Sequence, residues 1–195
     1  MKYHITDFGG VLVRTRCGDI AVNAGALPKV LRAEYLRAGE GLRALVVTSE
    51  LFVRTDGAAA FAEEANVPLI ASLIVSAFRR DFTSGGRRPI TFLPPAGVTV
   101  AGARLDFHLL GGDSVDPVYL TIEADGRRLG IVPDGRLDAK TVRPLLECDE
   151  VLLGNGLDLP PEAPGRLARQ LRWASNTNAE LDALFRGYAG KLVRF

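Results

Sequence analysis

A chain of 195 residues that is 47% apolar and 24% charged is long enough for one sizeable α/β domain and marginal for two. Its formal net charge of +1 gives no global field to draw it to nucleic acid or to an anionic membrane. The opening MKYHITDFGG lacks the apolar core of a signal peptide and no apolar run is long enough to span a bilayer, so a soluble, cytoplasmic protein is expected.

The first quarter alternates. KYHITDF, GVLVRTR and DIAVNAG are short segments rich in β-branched residues and separated by glycine, which predicts a meander of strands. LPKVLRAEYLRAGEG, with proline near its start, apolar residues at helical spacing and glycine at its end, predicts a helix. RALVVTS reads as a buried strand, DGAAAFAEEANV as a helix with Asp56 as its N-cap, PLIAS as a strand and LIVSAFRRDF as a helix. From Pro89 to Val132 strands dominate again: PITFL, GVTVAG, ARLDFHLL, PVYLTIEA and RRLGIVP, with a hairpin signal in EADGRR. Helix returns in DAKTVRPLLEC, strand in EVLLGN, and helix in APGRLARQLRW and TNAELDALFRGY. Each half is thus a set of strands followed by strand–helix alternation, which predicts two sheets packed face to face with helices outside, as a single domain over 1–195. Cys17 and Cys148 both adjoin apolar runs and are expected to be free, buried thiols.

Several stretches carry the chemistry. FGGVLVRT and VNAG (Val22–Gly25) are followed by TSELFVRTDG (Thr48–Gly57), then GGDSVDP (Gly111–Pro117), IVPDGRL (Ile131–Leu137) and RWASN (Arg172–Asn176). In this order they resemble the metallo-β-lactamase superfamily, a four-layer αββα sandwich, and most nearly its YycJ/WalJ-like branch of metal-dependent nucleases and phosphodiesterases. The resemblance runs from about Phe8 to Asn178. It implies that Thr48–Gly57 stands where the family has Thr-His-x-His-x-Asp-His-x-x-Gly, and that Asp134 closes the strand that ends in Thr-Asp-x-Gly.

Carried over residue by residue, the family's metal-ligand positions fall on Ser49, Leu51, Val53, Arg54, Gly112, Asp134 and Trp173, of which only Asp134 is a ligand type. Zinc needs three or four nitrogen, sulfur or carboxylate donors around one point, and two-metal hydrolysis needs two such sets. His4 and His108 fall outside every slot. The resemblance therefore implies a degenerate member with no bound metal. In place of the metals it implies an apolar plug of Leu51, Val53 and Trp173 and an Arg54–Asp134 ion pair that balances the carboxylate.

Other chemistry is thin. Glu50, Asp56, Asp113, Asp116, Asp134 and Asp158 supply carboxylates for magnesium, but turn and capping roles explain several of them. Ser49 or Ser175 with His108, or Cys148 with His4, lacks a nucleophile-elbow context. His108, in the alternating strand RLDFHLL, is expected to be a satisfied core or edge histidine. Arg79, Arg80, Arg87 and Arg88 make a basic loop around FTSGGRRP without the ending of a P-loop.

The reading is a pseudo-hydrolase that serves as a binding or scaffold protein for a protein partner, such as a catalytically complete paralogue, or as a homo-oligomer, with no cofactor and no membrane role. Two alternatives stand beside it. One is a phosphodiesterase or nuclease with an unorthodox magnesium or zinc site built from Asp134, Glu50 and Asp113. The other is an anion or nucleic-acid binder that uses Arg54, Arg79, Arg80, Arg87 and Arg88 in the former cleft.

Overall fold

The computed structural model describes residues 1–6, 10–23, 41–49, 57–79, 82, 88–111, 117–133, 135–154 and 175–195. The first half contributes strands β1 (Lys2–Ile5), β2 (Val11–Thr15), β3 (Gly18–Val22), β4 (Leu42–Val46), β5 (Leu69–Ser72) and β6 (Ile90–Phe92), with helices α1 (Ala58–Glu64) and α2 (Leu73–Phe78). The second half contributes β7 (Ala96–Val100), β8 (Ala103–Leu109), β9 (Val118–Ala124), β10 (Arg127–Val132), β11 (Glu150–Leu153) and β12 (Lys191–Arg194), with α3 (Arg143–Leu146) and α4 (Asn178–Leu184). Each half makes one six-stranded sheet, in the orders β1-β2-β3-β4-β5-β6 and β12-β11-β10-β9-β8-β7. Both sheets are mixed: β1–β2–β3 and β7–β8–β9–β10 run antiparallel, whereas β3–β4–β5–β6 and β10–β11–β12 run parallel.

Strand periodicity sorts the side chains into layers. Val11, Val13, Ile20, Val22, Ala44, Val46 and Ile70 point inward and meet Leu105, Phe107, Leu120, Ile122 and Ile131 of the other sheet. Phe92 of β6 stacks on Phe107 of β8 with ring centroids 3.9 Å apart, which joins the sheets at one side of the sandwich. The alternate residues Leu12, Ala21, Leu45 and Leu69 face outward and are covered by Phe61, Ala62 and Val75 of α1 and α2. On the far side Tyr119, Val132, Val151 and Leu153 are covered by Leu145, Leu181 and Phe185. Three apolar seams between four layers make an αββα sandwich, as the sequence pattern predicts.

Local chemistry explains several boundaries and corrects others. The EADGRR hairpin closes through Asp125 and Gly126, both left-handed at φ 56° and 69°, the geometry that a tight type I′ turn demands. Helix α4 starts with a full capping box: the Thr177 hydroxyl accepts from the Glu180 N–H while the Glu180 carboxylate accepts from the Thr177 N–H. Helix α1 is capped differently from expectation, since its N-cap is Gly57 at φ 73° with no side-chain cap; Asp56 lies outside the described residues. The predicted helix over DAKTVRPLLEC shrinks to Arg143–Leu146, because Asp138 accepts the N–H groups of Lys140 and Thr141 and holds the preceding residues in a turn. Strand β12, from KLVRF, was not expected. Cys17 is exposed rather than buried because it sits on the β2–β3 turn. Cys148 is a free, buried thiol, pushed up to about 12 chiefly by burial, which leaves it unreactive.

Candidate functional site

Parallel strands finish at the same end of a sheet, and here both sheets bring such ends together. β3 and β4 deliver Asn23, Thr48 and Ser49, while β8 and β9 deliver Gly111 and Pro117. β10 and β11 deliver Pro133, Gly135 and Gly154. A continuous chain of hydrogen bonds links them. Asn23, 3% exposed and left-handed at φ 53°, donates from Nδ2 to Thr48 Oγ1 at 2.8 Å and accepts the Thr48 N–H on Oδ1 at 3.0 Å. The Thr48 carbonyl then accepts the Val118 N–H at 2.9 Å, a direct bond from the first sheet to the second. Pro117 accepts from Leu110 at 2.8 Å, and Gly111 exchanges two backbone bonds with Arg136 at 3.1 and 2.8 Å. Asn176 closes the series by accepting the Leu137 N–H at 2.7 Å and donating to the Leu137 carbonyl at 3.0 Å. Arg136 also pairs with Glu180 at 2.9 Å.

The four motif segments read from the sequence are thus gathered at one end by their described residues: Thr48–Ser49, Gly111 and Pro117, Gly135–Leu137, and Ser175–Asn176. The Asn23–Thr48 pair that anchors them was not anticipated as a contact. Its only sequence signal is a polar residue directly after each of two apolar strands. Ser49 is 2% exposed and its hydroxyl has no hydrogen-bond partner among the described residues. Leu51, Val53, Arg54, Gly112, Asp134 and Trp173, with the expected Arg54–Asp134 pair, lie outside the described residues, as do Glu50, Asp113, Asp116, Asp158, Arg80 and Arg87. Arg79 is half-buried, its guanidinium 5.5 Å from the centre of the Phe82 ring. Exposed Arg88 lines an open groove of about 430 Å³ with Leu73, Ser76 and Thr91.

The histidines stand apart from this end in different ways. His4 is exposed on edge strand β1, opposite outward-facing Leu12. His108 lies on the outer face of the second sheet and stacks on Tyr119 at 4.6 Å, while Tyr119 donates its hydroxyl to the Thr141 carbonyl at 2.6 Å. The expectation of a satisfied histidine fails at one nitrogen: Nε2 of His108 is buried without a partner among the described residues, and so is Oγ1 of Thr121 on the adjoining strand. Burial lowers the His108 pKa, Asp106 opposes this, and Arg128 adds to it. With its folded value below the unfolded one, unfolding takes up a proton between the two, so the stabilising contribution is whole above about pH 6.5 and drains away as pH falls. We expect His108→Gln to flatten the stability–pH curve between pH 5 and 7, read from urea midpoints. Parallel curves for the two proteins would refute it.

Comparison with known proteins agrees with this architecture. No protein-family model matches the sequence, and no curated protein is similar to it. Among solved structures, the metallo-β-lactamase fold protein YhfI from Bacillus subtilis superposes with a TM-score of 0.65 at 13% identity, over 95% of this chain and 88% of that one. Zn²⁺-bound PqqB from Methylobacterium extorquens gives 0.63 at 16% identity, over 75% of this chain. Igni18, a metallo hydrolase from Ignicoccus hospitalis, gives 0.63 at 16% identity, over 80% of this chain and 70% of that one. The match spans 60% of PqqB, less than two thirds of its length.

Metals named with these relatives invite a test of donors here. At the gathered strand ends Asn23, Thr48, Ser49 and Asn176 present amides and hydroxyls, which are poor ligands for zinc, and the Glu180 carboxylate is engaged by Arg136 and the Thr177 N–H. Among the described residues no three histidine, cysteine, aspartate or glutamate side chains converge. The described donors alone make no zinc or two-metal centre, and the other ligand positions that the resemblance assigns lie outside the described residues. What the geometry and the comparisons establish is the scaffold: this chain has the metallo-β-lactamase fold.

Proposed function

We propose that this protein is a pseudo-hydrolase on that scaffold, one that binds a protein partner through its surface rather than turning over a substrate at a metal. The observation that carries the reading is Ser49. By the sequence resemblance Ser49 stands at the first ligand position of the family's loop, where a histidine would be expected, and its buried hydroxyl has no partner among the described residues. Here Asn23, Thr48 and Val118 tie strand ends of the two sheets together with ordinary hydrogen bonds. Five large apolar side chains on α2 and around β6, Leu73, Ile74, Phe78, Ile90 and Leu93, are 42–63% exposed, and apolar exposure of this kind favours a protein partner. No helix among the described residues is long and apolar enough to cross a membrane.

Metal analysis of the purified chain tests the reading. After incubation with zinc, manganese or magnesium and desalting, bound metal should stay well below one equivalent. Hydrolysis of bis-p-nitrophenyl phosphate should be indistinguishable from buffer. Stoichiometric metal, or hydrolysis abolished by both a chelator and Asp134→Ala, would overturn it in favour of a metal-dependent phosphodiesterase.

A further inference from the structure

At the end of the sandwich away from the gathered motifs, the β2–β3 turn forms one wall of an open recess of about 590 Å³. Arg14, Arg16 and Arg43 line it against a single lining carboxylate, Asp19, so the recess carries a formal charge of +2 on a chain whose total is +1. Elsewhere several arginines face acids: Arg104 faces Asp106, Arg127 faces Glu150, Arg128 faces Glu147, Arg136 faces Glu180 and Arg194 faces Asp182. The guanidiniums of Arg16 and Arg43 have no ion-pair partner among the described residues. The nearby carboxylate of Asp125 is occupied by the Met1 ammonium at 3.1 Å and by the Arg16 backbone N–H at 3.2 and 3.3 Å, with the field of Arg16 adding to the attraction.

The backbone that carries the three cations is fixed from independent directions. Thr15 locks the turn, its hydroxyl donating to the Gly18 carbonyl at 2.7 Å and accepting the Cys17 N–H at 3.1 Å. Gly18 adopts φ +131°, and a Cβ there would overlap the Arg43 side chain and lie 2.8 Å from its Nε. The missing side chain is what lets Arg43 lie along the turn. Arg14 is tethered to Asp19 at 3.6 Å, and Arg16 is pinned through its backbone to the β9–β10 turn of the other sheet. Guanidiniums carried on a fixed backbone can match phosphoryl oxygens bidentately.

We infer that this recess is an anion site for a diphosphate group. An apolar ligand fits less well, because no large apolar side chain lines the recess. Three guanidiniums that each bond bidentately call for more acceptor positions than the oxygens of one orthophosphate offer, and two linked phosphoryl groups supply them. Nucleic acid fits less well, because its regularly spaced phosphates call for an extended basic track and the net charge of +1 provides none.

Isothermal titration of the full chain with pyrophosphate, orthophosphate and a single-stranded oligonucleotide tests the inference at low salt. Pyrophosphate should bind saturably at one site, more tightly than orthophosphate, and weaken as salt rises. Arg43→Ala and Arg16→Ala should each weaken it by about tenfold or more, the loss expected for a charge-assisted bond. Arg43→Lys should recover only part of that, while Arg88→Ala, far from the recess, should leave binding unchanged. No saturable pyrophosphate binding, equal affinity in the Arg43→Ala and parent proteins, equal affinity for orthophosphate, or preference for the oligonucleotide would each overturn it. The recess is remote from Ser49, so its failure would leave the pseudo-hydrolase reading standing, and metal found in the cleft would leave the recess untouched.

Discussion

Gly154→Ala is expected to cost at least about 3 kcal/mol of stability, a severe penalty for one added methyl group. Gly154 follows β11, donates its N–H to the Val132 carbonyl at 2.7 Å and lies against the residues leaving β10. A Cβ at this position would overlap the Pro133 carbonyl oxygen and sit 2.9 Å from its carbon. These are backbone atoms next to a proline, so no rotamer change relieves them. β11 must pull away from β10, and the turn carrying Gly135 to Leu137 moves with it. The Gly111–Arg136 bridge and the Asn176–Leu137 pair should then exchange their amide hydrogens faster. Gly126→Ala is the control: its Cβ would meet nothing within 4 Å, so only the φ of +69° is penalised, by about 1–2 kcal/mol. Urea midpoints showing equal losses for the two variants would refute the steric argument.

Asn23→Ala should destabilise the protein by about 3 kcal/mol, through two separable causes. Removing the amide leaves the buried Thr48 N–H without its acceptor at 3.0 Å and the Thr48 hydroxyl without its donor at 2.8 Å. Alanine must also hold φ near 53°, which asparagine tolerates and alanine resists. Asn23→Gly removes the second cause and keeps the first, so it should be milder by about 1 kcal/mol. The diagnostic readout is the Val118 amide, whose bond to the Thr48 carbonyl is the link between the sheets at this end. Its hydrogen exchange should accelerate in both variants; unchanged protection at Val118 would mean that the link holds without Asn23.

Much of the scaffold was legible because strand patterning is local. Val11-Leu12-Val13 alternates between two seams, and Asp125-Gly126 specifies its hairpin by dihedral preference alone. β12 was missed because KLVRF has too few residues to show a period, and its place is set by parallel pairing with β11, some forty residues earlier in the chain. The short α3 was over-read because apolar spacing in VRPLLEC looks helical, while the turn before it is dictated by the Asp138 carboxylate. At the candidate site, residue types could be read but not partnerships. Ser49 is visible as a serine where the resemblance expects a histidine, yet its lack of a partner among the described residues depends on the fold. The Asn23–Thr48 pair joins residues that meet only when β3 and β4 align. His108 shows the opposite error: alternation placed it correctly on a strand face, but no local pattern reveals that Nε2 is sealed in without a partner among the described residues.

Each sheet is woven from an uninterrupted half of the sequence, and the halves join only through the brief passage from Phe92 to Ala96. Either leaf by itself would leave one greasy surface wet, since Phe92 needs Phe107 and the inward valines of β2 need the leucines of β8 and β9. Contiguity thus allows the leaves to form early and separately, while solvent exclusion between them forbids either to persist unaided. The molecule should therefore melt as one cooperative unit, and a defect introduced at one rim should be felt by both leaves at once.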